Sequence, residues 1–212
     1  MSIQLNDILA GVLFKSAEHK PPPAMVDKIK TTARTKAEGL LLTPAMGAVI
    51  NYMPSVVLRS REPNKYATDR KGLLMIGGPG LGKSIAAQFM AALGKIEIAA
   101  ATDAARIFAT EGEAAFYEFT RALRKQETII DDLGAEREVM SFGNSSPMAD
   151  WLQDRYSAWQ IGGPVTHIVT NLSPEQIGKK YGPRVLDRVQ EFTTPTPLAG
   201  KSLRINKPQP QE

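Results

Sequence analysis

Residues 77–84 read Gly77-Gly78-Pro79-Gly80-Leu81-Gly82-Lys83-Ser84, and this octet constrains the fold more than any other stretch of the chain. It satisfies the P-loop pattern G-x-x-x-x-G-K-[ST] at every fixed position. The spacing has a physical cause. Glycines let successive backbone N–H groups curve around a phosphate where a Cβ would intrude. A helix starting at the end of the loop then aims its N-terminus, worth about half a positive charge, at the same anion. In that arrangement Lys83 reaches the β- and γ-phosphates and the Ser84 hydroxyl serves Mg2+. The octet therefore predicts a strand before it and a helix after it. Both patterns are present: residues 72–76 (GLLMI) form a short apolar run, and residues 84–93 (SIAAQFMAAL) are apolar and alanine-rich.

The alternation continues downstream. Residues 95–101 (KIEIAAA), 127–130 (ETII) and 165–170 (VTHIVT) read as further strands. Residues 113–125, 149–160, 174–181 and 184–189 read as helices. Strands alternating with helices predict an α/β fold with a parallel sheet covered on both faces. Upstream, Ile3, Leu5, Ile8, Leu9, Val12 and Leu13 recur at mostly helical spacing before Pro21-Pro22-Pro23 interrupts. Residues 24–42 read as a helix with a basic face from Lys28, Lys30, Arg34 and Lys36. Thr43-Pro44 marks a second helix start and Pro54 its expected stop. Residues 59–71 read as a charged turn, and the tail INKPQPQE as polar and mobile.

Three further elements belong with the phosphate loop. Thr128-Ile129-Ile130-Asp131-Asp132 places paired acids at a strand end, 131 − 84 = 47 residues beyond Ser84. Magnesium–nucleotide chemistry needs such acids: Asp131 to hold the metal and Asp132 to orient or deprotonate the attacking water. Asn171 closes the strand in THIVTNLS, where a polar side chain can hold that water beside the γ-phosphate. Arg184 and Arg188 are four residues apart, hence on one helical face, and Arg204 follows in GKSLRI. A GTPase reading of Asp131-Leu133-Gly134 as D-x-x-G fails at Asn206-Lys207, because Gln209 stands where guanine recognition needs an aspartate.

Composition excludes several other chemistries. Cysteine is absent, so there is no disulfide framework, thiol nucleophile or cysteine zinc site. His19 and His167 alone do not make a histidine metal cluster. No apolar run approaches the roughly 18–20 residues of a membrane span, and the first 14 residues lack a basic n-region, so a cytoplasmic location is expected. With 26 Lys+Arg against 22 Asp+Glu the net charge is +4, which permits nucleic-acid contact without demanding it.

Taken together, RKGLLMIGGPGLGKS, TIIDDLGAE, LQDRYSAW, THIVTNLSPEQI, YGPRVLDRV and LAGKSLR resemble the AAA+ family, and within it the DnaC/DnaI-type helicase loaders with their phage and IstB-like relatives. The resemblance implies a P-loop NTPase core with a parallel five-stranded sheet, the strand ending at Asn171 lying between those carrying the two Walker motifs. It implies that Gly77 to Ser84 are Walker A, Asp131 and Asp132 Walker B, and Asn171 sensor 1. Arg188 would be the finger that reaches ATP on an adjacent subunit, Arg184 its helper, and Arg204 the sensor 2 arginine. Arg155, in DRY, fits the pattern but receives no role.

The implied organisation is a helical N-terminal extension over residues 1–70 that is a candidate partner-binding region, an ATPase core over 71–205 and a mobile tail over 206–212. Only 212 − 188 = 24 residues follow Arg188, too few for a C-terminal lid domain, as in the loaders. The implied function is an ATP-dependent loader that binds a replicative hexameric helicase and helps place it on single-stranded DNA. Such proteins act as homo-oligomeric rings or spirals. The alternatives are an IstB-like DNA-binding ATPase that directs a transposase, and a non-hydrolysing nucleotide-dependent adaptor.

Overall fold

The computed structural model describes residues 20–40, 43–61, 70–137 and 146–203. Five strands, β1 (Gly72–Ile76), β2 (Glu97–Ala100), β3 (Thr128–Leu133), β4 (Thr166–Thr170) and β5 (Thr193–Pro197), form one sheet in the order β2-β3-β4-β1-β5. Every pairing is parallel. β4 therefore lies between the strand that enters the P-loop and the strand that ends in the two aspartates, as the resemblance implies.

Eight helices among the described residues cover the sheet: α1 (Pro23–Lys36), α2 (Pro44–Arg61), α3 (Lys83–Gly94), α4 (Ala101–Glu111), α5 (Glu113–Leu123), α6 (Pro147–Gln160), α7 (Pro174–Tyr181) and α8 (Pro183–Phe192). Successive strand residues point to opposite faces, and the two cores divide accordingly. Met75, Ile129 and Val169 pack with Met46, Val49, Met53 and Met90, on the face covered by α1 to α3. Leu74, Ile130 and Ile168 pack with Phe116, Trp151 and Phe192, on the face covered by α4 to α8. These strand side chains are almost wholly buried and contribute about 1.5–3 kcal/mol each.

Two expectations are corrected. Pro54 does not stop α2, which runs on to Arg61. Met46, Val49, Ile50, Met53 and Val56 continue the helical period through the proline, and their burial outweighs the one lost N–H bond. Residues 95–101 are not one strand: β2 covers only Glu97–Ala100, and Ala101 opens a helix to Glu111 that the sequence reading did not contain. β5, with the sequence TTPTP, was expected only as the fifth strand that the resemblance implies. It is an edge strand, where prolines without N–H groups are tolerated. The amphipathic pattern over residues 1–14 and the tail after residue 203 lie outside the described residues.

Candidate nucleotide site

The carboxyl ends of β1, β3 and β4 meet at one place, as in other open parallel sheets that bind ligands there. The loop after β1 leads into α3, whose N-cap residue Gly82 has φ +76°. Gly80 has φ +79°, and a Cβ there would lie 2.1 Å from Ser202 Oγ, so only glycine fits. The chain after β5 crosses the loop at this point, and Leu203 N–H donates to Gly80 O at 2.9 Å.

Lys83 is buried and acts as the hub. Its ammonium donates to Gly77 O at 2.7 Å, to Gly78 O at 2.8 Å and to Asn171 Oδ1 at 2.8 Å. Ser84 Oγ donates to Asp131 Oδ1 at 3.2 Å. The residues singled out from strands β1, β3 and β4 are thus joined by direct bonds. A cavity of about 470 Å³ opens beside them, lined by Pro79, Gly82, Lys83, Ser84, Asp132 and Asn171 among others.

Asp132 reaches that cavity through an irregularity. Ile130 pairs with Ile168 and Leu133 with Thr170, so three steps along β3 oppose two along β4. The extra residue makes a β-bulge and breaks the alternation that would send consecutive side chains to opposite faces. Asp132 takes φ +52°, and its N–H donates to Asp131 Oδ1 at 3.0 Å. Among side-chain-bearing residues this left-handed backbone is least costly for Asn and Asp. The bulge therefore favours an aspartate over the longer glutamate at this position.

The donor set suits a nucleotide with its metal. The glycine-lined loop and the N-terminus of α3 form an anion cradle, and Ser84 with Asp131 offers hard oxygen donors of the kind Mg2+ takes. Burial pushes the Asp131 carboxyl above its usual range, and the Asp132 charge adds to this, against the Ser84 hydrogen bond. A bound cation would reverse that penalty.

The candidate arginines stand apart from this cluster on α8. Arg184 is exposed. Arg188 donates to Gln153 Oε1 at 2.6 Å and lies 5.1 Å from the Tyr156 ring centre. Arg204 lies outside the described residues.

Arg155 belongs to the opposite end of the sheet. It is fully buried and donates to Thr166 Oγ1 at 2.6 Å and to the carbonyls of Leu123, Gln126 and Val165 at 2.7–3.2 Å. Its role is to satisfy chain ends where α5, β3 and β4 begin or stop. Next to it, Glu127 accepts from Arg59 Nη2 at 2.7 Å and pairs with His167 Nε2 at 2.9 Å. Burial pushes Glu127 upward, but the His167 and Arg59 hydrogen bonds and the guanidinium charge win and hold it at about 2. Burial likewise pushes His167 down, more than Glu127 can raise it. A neutral ring fits the geometry, because Leu73 N–H donates to His167 Nδ1 at 3.0 Å, leaving the proton on Nε2.

The sheet order, the loop and the strand-end acids define a P-loop NTPase fold of the AAA+ type. Solved structures of the same fold sharpen the comparison. The crystal structure of the DnaC helicase loader superposes with a TM-score of 0.51 and 18% identity, over 85% of this chain and 94% of that one. DnaI matches with a TM-score of 0.52 and 18% identity, over 84% and 95%. AMPPCP-bound DnaA from Aquifex aeolicus matches with a TM-score of 0.54 and 13% identity, over 79% of this chain and 51% of that one. No protein-family model matches the sequence, and no curated protein matches it. Among the described residues no helix is long and apolar enough to cross a membrane.

Proposed function

We propose that this protein is an ATPase that loads a replicative hexameric helicase onto single-stranded DNA, with hydrolysis driving release. The observation that carries this is the Lys83–Asn171 contact inside a fold that spans nearly the whole solved chain of a DnaC helicase loader and of DnaI. The ATP phosphates would sit on the amides of Gly77 to Ser84, with Lys83 shifting from the loop carbonyls to the β- and γ-oxygens. Mg2+ bound by Ser84 and Asp131 would neutralise charge on those oxygens. Asp132 and Asn171 would hold the attacking water, with Asp132 taking its proton. The AMPPCP-bound DnaA neighbour supports a nucleotide in this fold.

In this reading Arg188, helped by Arg184, completes the site of a neighbouring copy, so turnover depends on oligomerisation. Arg204 acts as sensor 2. Residues 1–70 serve the partner, and exposed Lys28, Arg34 and Lys36 on α1 offer it, or DNA, a basic face. The test is capture of the replicative helicase by the full chain and by a variant lacking residues 1–42, with and without ATP. Capture by the full chain alone is expected. Failure of both, with filament growth on duplex DNA, would favour the transposase-directing reading. Nucleotide binding without turnover would favour the adaptor.

A further inference from the structure

Beyond the two aspartates, β3 continues into a short segment tied to α7 by side chains that the ATPase reading leaves unused. Thr170 Oγ1 donates to Leu133 O at 2.6 Å, joining the ends of β3 and β4. Gly134 follows with φ +101°, and a Cβ there would lie 2.4 Å from Leu172 Cδ1, one residue after Asn171. Glu136 then turns inward until its side chain is only 3% exposed. Its Oε2 accepts from Gly134 N–H at 2.8 Å, and its Oε1 accepts from Tyr181 OH at 2.5 Å. Lys180 Nζ lies 2.9 Å from the same Oε1 and donates to Gly134 O at 2.9 Å and Glu136 O at 3.0 Å.

We propose that Glu136 is a positioning residue, a strut that transmits movement of the β3 acids to the helix pair carrying Arg184 and Arg188. The inference rests on the ATPase reading. A carboxylate removed from water is costly unless paired, and here the pairing joins the segment after β3 to the end of α7. One end of the strut is the segment that leaves Asp131 and Asp132. The other end is the last turn of α7, at Lys180 and Tyr181. Only Gly182, with φ +95°, separates that turn from α8, and its carbonyl accepts the N–H groups of Val185 and Leu186 at 3.2 Å. Where α7 ends therefore sets where α8 starts. Burial raises the Tyr181 hydroxyl, and the Glu136 hydrogen bond and charge raise it further, so the phenol stays a donor.

The test is hydrogen–deuterium exchange on the full chain with and without a magnesium–nonhydrolysable ATP analogue, together with steady-state turnover. In the wild type the analogue should slow exchange in residues 77–84 and change it in residues 174–192. In Glu136→Gln the first effect should persist with KM within about 2-fold, while the second disappears and kcat falls about 10-fold. Tyr181→Phe, which removes one hydroxyl and guards against a misfolded Glu136 variant, should lower kcat about 3-fold. The double variant should be no slower than Glu136→Gln alone. The strut is overturned if residues 174–192 of Glu136→Gln respond as in the wild type. It is equally overturned if kcat and nucleotide affinity fall together in both variants in step with Tm. Absence of protection at residues 77–84 in the wild type would sink the ATPase reading itself, and the strut with it.

Discussion

The two ends of the same three strands, β1, β3 and β4, are built to opposite rules. At the amino end the buried charges are closed in: Arg155 meets four oxygens, and Glu127 is held between Arg59 and His167. At the carboxyl end Asp131 is held above its usual range by burial, Asp132 is in a left-handed backbone, and Lys83 leans on loop carbonyls. The amino end is a finished structure. The carboxyl end keeps a strained backbone at Asp132 and a carboxylate disfavoured by burial at Asp131, and those are what a ligand can relieve.

The sharpest way to test this division is to remove the guanidinium or the ammonium that the proposed nucleotide reading calls on. Arg188→Ala should lower ATP turnover about 10³-fold and remove its dependence on protein concentration, if the arginine acts in trans. Lys83→Ala should cost about 10²–10³-fold, by the scale of a lost charge-stabilising donor. Arg188→Ala should move the urea midpoint little, whereas Lys83→Ala, which takes the donor from Gly77 O, Gly78 O and Asn171 Oδ1, should lower it. Normal turnover by Arg188→Ala would end its assignment.

The next largest effect should appear at the other end, and in stability alone. Glu127→Gln removes the carboxylate charge between Arg59 and His167 and should cost about 3 kcal/mol in urea unfolding. Nucleotide affinity should stay within about 2-fold, given the separation of the sites. A variant that lost nucleotide binding without losing stability would break the division between the ends.

The phosphate loop and the three central strands were legible because they rest on local signals, whereas the strand order came only with the family resemblance. The octet at 77–84 is contiguous, and β1, β3 and β4 are short apolar runs with clear ends. The misreadings came where tertiary packing overrode a local rule. Pro54 is carried inside α2 by the burial of Met53 and Val56, and β5 accepts Pro195 and Pro197 because it is an edge. The β3 bulge left no trace in the sequence, since it depends on how Leu133 registers with Thr170. Glu136 stood in the quoted word TIIDDLGAE, but nothing local showed that it turns inward to Tyr181.

Acid should separate the ends again, more gently. Glu127 and His167 both resist protonation in the folded state, so the unfolded chain takes up more protons than the native one. Stability should fall as pH drops below about 6.5, fall further below about 4.5, and lose the Glu127 share entirely near pH 2. Urea unfolding across that range, with Glu127→Gln flattening the lower part, checks it.

Asp131 has the opposite sign. Its folded pKa is raised, so its ionised form weakens the ligand-free protein at neutral pH. The smallest predicted effect is therefore a slight rise in Tm for Asp131→Asn without nucleotide, accompanied by loss of magnesium-dependent binding. A fall in Tm would show that Asp131 is structural after all.

The contact between Leu203 and Gly80 has a practical corollary. A fluorophore or anchor attached at residue 203 itself would sit on the very turn that would grip the phosphates. Force or bulk applied there bears on the binding loop, so immobilisation and labelling belong away from that residue.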